Sequence, residues 1–330
     1  MFKQNKTESG NKKVHPVDSG RSPINFLVIS VKGFCMGVAD IIPGISGGTI
    51  AFILEIYEDL ISALRSFDLK FVSLLVRGKF REASASVAWR FLSSLVLGIA
   101  CAILILSRIV SWLLAEHPVL INAFFFGLIL ATIPIIAGAM KKWDVKKAVA
   151  LLLSAVGTFF FVQLTPVSTP EVWWFIFASG ALAICAMILP GISGAFILLL
   201  LGKYQFILNA IRSRDIFTIL IFVLGMAVGI LSFVRVLGWL FRKFHDMTIA
   251  VLAGFVIGSL NRIWPWKQVV ETITTSSGRI IPVKEANIFP HVSDPQLIGA
   301  LALIAAGIIV ALLLHAVPQR QRKTDLAGKD

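Results

Sequence analysis

A proline–glycine break interrupts two long apolar segments of this chain, and the two breaks carry nearly the same residues. Residues 42–49 read Ile-Pro-Gly-Ile-Ser-Gly-Gly-Thr, and residues 189–196 read Leu-Pro-Gly-Ile-Ser-Gly-Ala-Phe. When 33–68 is aligned with 180–215 without gaps, 15 of the 36 positions are identical. The chain is therefore predicted to be an internal duplication. Paired breaks of this kind mark the binding sites of transporters, because the ends of half-helices leave backbone groups free to meet a substrate.

Composition predicts a membrane protein with several spans. Hydrophobic residues make up 57% of the chain, charged residues 15%, and mean hydropathy is +0.86. Several apolar runs approach the roughly 20 residues that a helix needs to cross about 30 Å of hydrocarbon. Residues 1–23 are polar and lack the features of a signal peptide, so they are predicted to form a disordered cytoplasmic tail. The cysteines lie in apolar segments, which gives little support to disulfides or a thiolate metal site.

The apolar runs predict an all-α polytopic membrane protein with an inverted-topology repeat, in which each half has a broken, re-entrant hairpin and three transmembrane helices. The first membrane repeat, 24–163, comprises a hairpin at 24–64 and helices at 91–114, 118–139 and 145–163. The second, 172–315, comprises a hairpin at 172–209 and helices at 217–240, 247–263 and 296–315, before a cytoplasmic tail at 316–330. Each hairpin returns to the side that it entered, so three crossings remain per half. This odd number makes the second half inverted.

Basic residues set the predicted orientation, since Lys and Arg are retained on the cytoplasmic side. With the N-terminus inside, the inner segments hold 21 of the 31 Lys and Arg residues and the outer loops hold six. Both termini are therefore predicted to be cytoplasmic. This bias explains most of the net charge of +13, which also attracts the protein to anionic membrane lipid. Nucleic acid is therefore not expected as a partner.

Two intramembrane arginines extend the duplication at an offset of 127. Arg108 and Arg235 are each followed four residues later by a tryptophan, which lies on the same helix face. Charges inside membranes tend to be functional, so Arg108 and Arg235 are candidates for binding an anionic head group, one in each leaflet. The alternative is that both side chains snorkel to the interface next to aromatic anchors.

The two breaks are candidate anion sites. Glycine permits close approach and proline lacks an N–H, while the helix that resumes after each break exposes N–H groups near a serine hydroxyl. The candidate residues for binding an anionic head group are Pro43, Gly44, Ser46, Gly47, Gly48, Thr49, Pro190, Gly191, Ser193 and Gly194. The alternative is that the serines cap helices and the glycines allow tight packing.

Residues that differ between the two copies are candidates for ion coupling. Asp40 aligns with Met187, Glu55 with Gly202, and Lys203 with Ile56. Asp40 and Glu55 could bind a coupled H⁺ or Na⁺, or could pair with Lys32 or an arginine. The histidines lack metal-ligand spacing, so no metal or cofactor is expected. Motifs of metalloproteases, serine hydrolases and phosphatases are absent from the sequence, so an enzyme is not expected.

The doubled Pro-Gly-Ile-Ser-Gly motif, the stretch Asp40–Gly44 and the triplet Gly202-Lys203-Tyr204 resemble the DUF368 family of bacterial membrane proteins over residues 26–316. That family includes polyprenyl-phosphate translocases. The resemblance implies a flippase in the bacterial inner membrane that returns undecaprenyl phosphate, or a related polyprenyl phosphate, from the outer to the cytoplasmic leaflet for envelope synthesis. It would work by alternating access. The oligomeric state is left undecided, with a homo-oligomer as one alternative. Accessory head-group contacts would come from Lys32, Lys203, Arg212, Arg214, Tyr57 and Tyr204.

Two other functions remain open at this point. An ion-coupled carrier of a small soluble anion would use the same two breaks without a lipid. A non-transporting, lipid-binding scaffold of envelope synthases would bind the lipid but would not move it between leaflets.

Overall fold

The computed structural model describes residues 23–42, 44–140, 142–274, 280–291 and 294–327. Pro43, nearly all of the N-terminal tail and the last three residues of the C-terminal tail lie outside these ranges. The helices are α1 Pro23–Asp40, α2 Gly47–Ile53, α3 Tyr57–Arg65, α4 Leu69–Val76, α5 Phe80–Ala85, α6 Trp89–Glu116, α7 Pro118–Leu130, α8 Thr132–Ala139, α9 Val145–Phe161, α10 Trp173–Ile188, α11 Gly194–Leu200, α12 Tyr204–Ser213, α13 Ile216–Lys243, α14 His245–Ile263 and α15 Leu297–Ala327; the strands are β1 Lys267–Thr274 and β2 Ile280–Asn287.

The fold is mostly helical and has several helices that could cross a membrane. Within the described chain five are long and apolar enough, namely α6, α7 with α8, α13, α14 and the first 20 residues of α15. A sixth candidate is the pair α11 and α12, which is bent by 101°. These spans confirm a multi-pass membrane protein. Two short helices, α4 and α5, lie between the hairpin predicted at 24–64 and the helix predicted at 91–114.

Each predicted hairpin is a helix broken at two places, and the backbone turns at the same aligned positions in both copies. At the first break, Gly44 and Gly191 have φ angles of 91° and 85°. At the second, Glu55 and Gly202 have φ angles of 55° and 64°. This left-handed conformation suits glycine and costs other residues roughly 1–2 kcal/mol. Glu55 therefore adopts a backbone conformation that is unfavourable for glutamate.

Helix pairing repeats in the two halves. In the first, α1 packs against α6, and in the second, α10 packs against α13. The remaining long helices pair across the halves, α7 with α15 and α9 with α14. Each cross pair joins the second long helix of one half to the third of the other.

Glycines allow the closest of these contacts. A β-carbon at Gly98 of α6 would collide with the carbonyl oxygen of Ser30 in α1, and one at Gly225 of α13 would collide with that of Phe177 in α10. The two contacts therefore involve equivalent positions of the two repeats. Small residues let helix backbones approach inside a membrane, where packing rather than the hydrophobic effect holds helices together.

Gly225→Leu is expected to destabilise the protein strongly, because its side chain would push α13 away from α10. Overpacking typically costs about 1–3 kcal/mol, and more where the opposing group is backbone. The matched control is Gly157→Leu on α9, where a β-carbon would meet no atom within 4 Å. Thermal unfolding of both variants in detergent measures the difference. Equal melting temperatures for the two variants would contradict close α10–α13 packing.

A small two-stranded sheet connects α14 to α15, between the helices predicted at 247–263 and 296–315. Strands β1 and β2 are antiparallel, with Lys267 opposite Asn287. Two tryptophans fix the connection to the helices: Trp264 Nε1 donates to the Ile288 carbonyl at 2.9 Å, and Trp266 Nε1 donates to Asp294 Oδ2 at 3.1 Å. Trp266 is buried against Ala123 and Ala300. The β-hairpin is thus attached to the C-terminal end of α14, which also lies beside the two proline–glycine breaks.

Candidate functional site

The two breaks, here called the first tip (residues 42–49) and the second tip (189–196), contact each other directly. The backbone N–H of Gly191 donates to Thr49 Oγ1 at 2.9 Å. The Ser46 hydroxyl lies 3.0 Å from the Met187 carbonyl oxygen and 3.3 Å from that of Leu189. A β-carbon at Gly48 would sit 2.5 Å from the carbonyl oxygen of Ile188, so glycine is needed for this approach. The motif copies therefore form one site.

At the first tip, the protein itself occupies the helix end. Asp40 Oδ1 accepts a hydrogen bond from the Gly47 N–H at 2.7 Å, and Ser46 Oγ accepts one from the Gly48 N–H at 3.1 Å. Ser46 is 2% exposed and Thr49 is 0% exposed. The Asp40 carboxylate thus sits where the sequence analysis places the anionic head group.

The second tip lacks this internal anion. Met187 occupies the position of Asp40 and cannot accept a hydrogen bond from the helix end. Ser193 is the N-cap residue of α11 but makes no side-chain capping bond. Ser193 is half-buried and Ala195 is exposed, whereas Pro190, Gly191 and Gly194 are buried. The same motif is therefore closed in the first copy and more open in the second.

Arg262, at the end of α14, lies between the tips and was missed by the sequence analysis. A β-carbon at Gly44 would be 3.0 Å from Arg262 Cγ, and the guanidinium carbon is 5.6 Å from the centre of the Phe196 ring. In the repeat alignment at offset 127, position 262 corresponds to Ile135. Comparison of the two copies beyond the hairpins would have singled out this arginine, as it did Asp40 and Glu55.

Arg262 and Lys267 share one carboxylate. Glu285 Oε2, on β2, lies 3.1 Å from Lys267 Nζ and 3.8 Å from Arg262 Nη1. Lys267 Nζ also donates to the Arg262 carbonyl at 2.6 Å. Burial lowers the pKa of Lys267, against the effect of the nearby Glu285 charge, which raises it. Among the described side chains, these two cations share one carboxylate, so the site beside the tips carries a net positive charge.

The two predicted intramembrane arginines lie away from the tips. Arg108 is exposed on α6, and Arg235 is exposed on α13. Arg235 Nη2 donates to the carbonyl of Phe67 at 3.3 Å, just beyond the first hairpin. Within the described residues, neither guanidinium hydrogen-bonds to a tip residue.

The two predicted accessory lysines support the second bend of each hairpin. Lys32 Nζ donates to the Leu54 carbonyl at 2.9 Å. Lys203 Nζ donates to the Thr169 carbonyl at 2.8 Å and lies over the Phe206 ring. Lys203 is only 1% exposed, so this ammonium is closed off from any large ligand in this conformation. Of the remaining accessory residues, Tyr57 is buried against Phe52 and Phe241, and Tyr204, Arg212 and Arg214 are exposed.

Glu55, one of the two coupling candidates, faces the last helix. Its Oε1 atom lies 3.4 Å from Nδ1 of His315. Among the described residues there is no cluster of three or more His, Cys, Asp or Glu side chains that could hold a metal ion.

An apolar cavity of about 300 Å³ begins beside the second tip. Leu189 borders it at one end, and α13 and α14 form its walls with Phe233, Leu237, Phe244, Met247 and Phe255 among others. The cavity thus places an apolar surface next to the more open tip.

Comparison with known proteins identifies the family. Residues 36–281 match the VCA0040-like family, described as undecaprenyl phosphate translocase-like. A polyprenyl-phosphate transporter of Vibrio cholerae is 36% identical over 307 residues, covering 90% of this chain and 98% of that protein. A polyprenyl-phosphate transporter of Staphylococcus aureus is 29% identical over 254 residues, covering 71% of this chain and 85% of that protein. No solved structure matches the chain. The resemblance to DUF368 is thereby confirmed, and the chain belongs to the VCA0040-like, undecaprenyl phosphate translocase-like family.

Proposed function

We propose that this protein moves a polyprenyl phosphate, in particular undecaprenyl phosphate, from the outer to the cytoplasmic leaflet of the bacterial inner membrane. Family membership and the names of both relatives support a transporter rather than an enzyme. The paired breaks support the same class, because interrupted helices in duplicated halves are typical of transporter binding sites.

The observation that carries this proposal is the difference between the tips. Asp40 fills the helix end of the first tip, while the second tip has Met187 at that position and an uncapped α11. The phosphate group binds at the second tip, where Ser193 and the backbone of Gly194 can donate and Arg262 supplies positive charge. Arginine suits this role because its planar group donates two parallel hydrogen bonds to phosphate.

The apolar cavity is the proposed contact for the isoprenoid tail. It starts at Leu189, beside the proposed phosphate position, and its lining is almost wholly apolar. A long isoprenoid chain gains free energy from any such surface that is shielded from water. The head group would thus be bound by the tip while the tail stays between α13 and α14 or in lipid.

The proposed transport cycle is alternating access between two inverted repeats. The repeated helix pairings and the direct tip-to-tip hydrogen bonds support it, because a relative movement of the halves must change these contacts. The predicted cytoplasmic side is held by polar contacts between helices. His245 Nε2 lies 3.0 Å from Glu58 Oε1, and Lys147 Nζ forms an ion pair with Asp246 Oδ2 at 3.0 Å. This arrangement fits a state that is closed towards the cytoplasm and open at the second tip.

Inward transfer of a phosphate works against the membrane potential, by about 2.3 kcal/mol per charge per 100 mV. A co-transported H⁺ or Na⁺ would offset this cost. Asp40 and Glu55 are the proposed coupling residues, since each stands in one copy only and each contacts a bend of the first hairpin.

Proteoliposomes that contain the purified protein are expected to transfer labelled undecaprenyl phosphate between leaflets, and Arg262→Gln is expected to slow this transfer at least tenfold. Arg81→Gln, at an exposed arginine of α5, is the control with the same change of charge. Empty vesicles give the background rate. Imposed proton and sodium gradients test coupling, and a rate that ignores both would remove Asp40 and Glu55 from the scheme.

The same preparation separates the other functions. Uptake of a soluble anion without added polyprenyl lipid would identify a soluble-anion carrier. Saturable lipid binding without transfer would identify a scaffold. Transfer that is unchanged in an Arg108/Arg235 double charge reversal would exclude those two arginines from the transport path.

A further inference from the structure

Three arginines converge at the end of α13 where it meets the first hairpin. Positions 235, 238 and 242 lie on one face of α13, because they are spaced by three and four residues. A β-carbon at Gly238 would be 2.6 Å from Arg65 Nη1 and 2.7 Å from its Nε. The guanidinium of Arg65, the last residue of α3, therefore lies across the bare backbone of Gly238, between Arg235 and Arg242. These three arginines are called the arginine ladder below.

Among the described residues, no acidic side chain forms an ion pair with Arg65, Arg235 or Arg242. Burial lowers the pKa of Arg65, and the charges of Arg242 and Arg235 lower it further. Converging like charges cost free energy unless an anion joins them. The retention of basic residues on the cytoplasmic side explains why arginines occur in this region, but it does not require three to meet at one point.

The arginine ladder is also specific to one half of the protein. Arg65 and Arg235 have aligned counterparts in Arg212 and Arg108. Gly238 aligns with Ser111, however, and the pair Arg242-Lys243 aligns with Ala115-Glu116. The packing differs too, since α3 packs against α13 of the other half, whereas α12 packs against α13 of its own half. Two of the arginines therefore occur in both copies, whereas the bare glycine and the third arginine occur in one copy only.

We propose that the arginine ladder binds the phosphate group of a lipid phosphate monoester as the head group leaves the protein on the predicted cytoplasmic side. This site rests on the proposed function and is separate from the tips. Arg235 and Arg242 are seven residues apart, so the ladder spans roughly 10 Å along the helix axis at about 1.5 Å per residue. It leads from within the apolar length of α13 to its last turn. A phosphate released from the tips would meet successive guanidinium groups on its way to the surface.

Equilibrium binding of radiolabelled farnesyl phosphate to the purified protein in neutral detergent tests the site. Arg262→Gln is used as the background in every sample, so that the tip site contributes little. In this background, Arg65→Gln with Arg242→Gln is expected to weaken binding at least tenfold. Arg77→Gln with Arg81→Gln, two exposed arginines beside α4 and α5, is the control with the same loss of charge and is expected to change binding less than twofold. Farnesol, which lacks the phosphate, should not distinguish the variants.

A second variant tests geometry without changing charge. Gly238→Ala places a methyl group against the guanidinium of Arg65, so it is expected to weaken farnesyl phosphate binding severalfold. The double variant Arg65→Lys with Arg242→Lys should recover part of the affinity lost in the glutamine variant. Inorganic phosphate as competitor identifies the source of the anion: equal potency with farnesyl phosphate would show a site for free phosphate and overturn the lipid assignment.

The outcomes separate this inference from the proposed function. Loss of binding in the glutamine and alanine variants, with normal binding in the control, supports the arginine ladder. If the glutamine variant binds as well as its background while wild-type protein still transfers lipid, the ladder is wrong and the function stands. If wild-type protein neither binds farnesyl phosphate nor transfers undecaprenyl phosphate, the function itself is wrong. If Gly238→Ala does not fold, the lysine and glutamine pair still decides the outcome.

Discussion

Ser46→Ala is expected to destabilise the protein, whereas Ser193→Ala is expected to leave stability nearly unchanged and to slow lipid transfer at least fivefold. The two serines occupy the same motif position, but Ser46 is buried, caps α2 and reaches the carbonyl oxygens of Met187 and Leu189. Its loss removes the acceptor of the Gly48 N–H and the hydroxyl donor that meets the Met187 carbonyl, at a cost of about 1–3 kcal/mol. Ser193 makes no capping bond, so its removal leaves no such group behind.

Thermal unfolding in detergent measures the first effect, and transfer of labelled undecaprenyl phosphate measures the second. Each serine is the control for the other, because the chemical change and the local motif are the same. Equal losses of stability would mean that both tips use their serines as caps, as the alternative reading of the motif predicts. A normal transfer rate for Ser193→Ala would remove its hydroxyl from the proposed phosphate site.

Local backbone requirements made much of the fold predictable. Proline and glycine in an apolar run force a break, and glycine takes the left-handed conformation at little cost, so Gly44 and Gly191 could be placed at turns from sequence alone. Glu55 could not, since glutamate does not favour this conformation and only its alignment with Gly202 hints at it. The strand Lys267–Thr274 carries β-branched residues within a polar connection, a weak signal that apolar patterning does not detect.

The site was less predictable than the fold, because its contacts join residues that are distant in sequence. The motif indicated two similar anion sites, and no local rule shows that Asp40 turns back onto Gly47 or that Thr49 accepts from Gly191. Arg262 was missed because a basic residue in the last turn of a helix is common and does not by itself indicate a binding site. Lys203 was expected near the head group. Its ammonium is instead buried and donates to the Thr169 carbonyl, a contact between distant residues that the repeat alignment does not show.

Asp40 shows that a carboxylate at the end of α1 can accept a hydrogen bond from the first N–H group of α2. It is the last residue of α1, and its Oδ1 lies 2.7 Å from the Gly47 nitrogen. Met187 has the same position in the second copy, and a β-carbon at Gly194 would be 3.3 Å from Met187 Cβ. An aspartate at 187 could therefore reach the Gly194 N–H as Asp40 reaches Gly47. It would place a fixed negative charge where the lipid phosphate is proposed to bind.

Met187→Asp is accordingly expected to abolish transfer of undecaprenyl phosphate, by at least 100-fold, while the protein stays folded. A covalently attached carboxylate competes at very high effective concentration and also repels the phosphate. Met187→Asn is the matched control: it has nearly the same shape and can accept the same hydrogen bond, but it carries no charge. The asparagine variant should lose no more than about tenfold, since tenfold corresponds to about 1.4 kcal/mol and a neutral acceptor competes only weakly. Rates are measured in proteoliposomes beside melting temperatures. If both variants transfer lipid at the wild-type rate, the phosphate does not bind at the second tip, and the arginine ladder becomes the leading candidate for the head-group site.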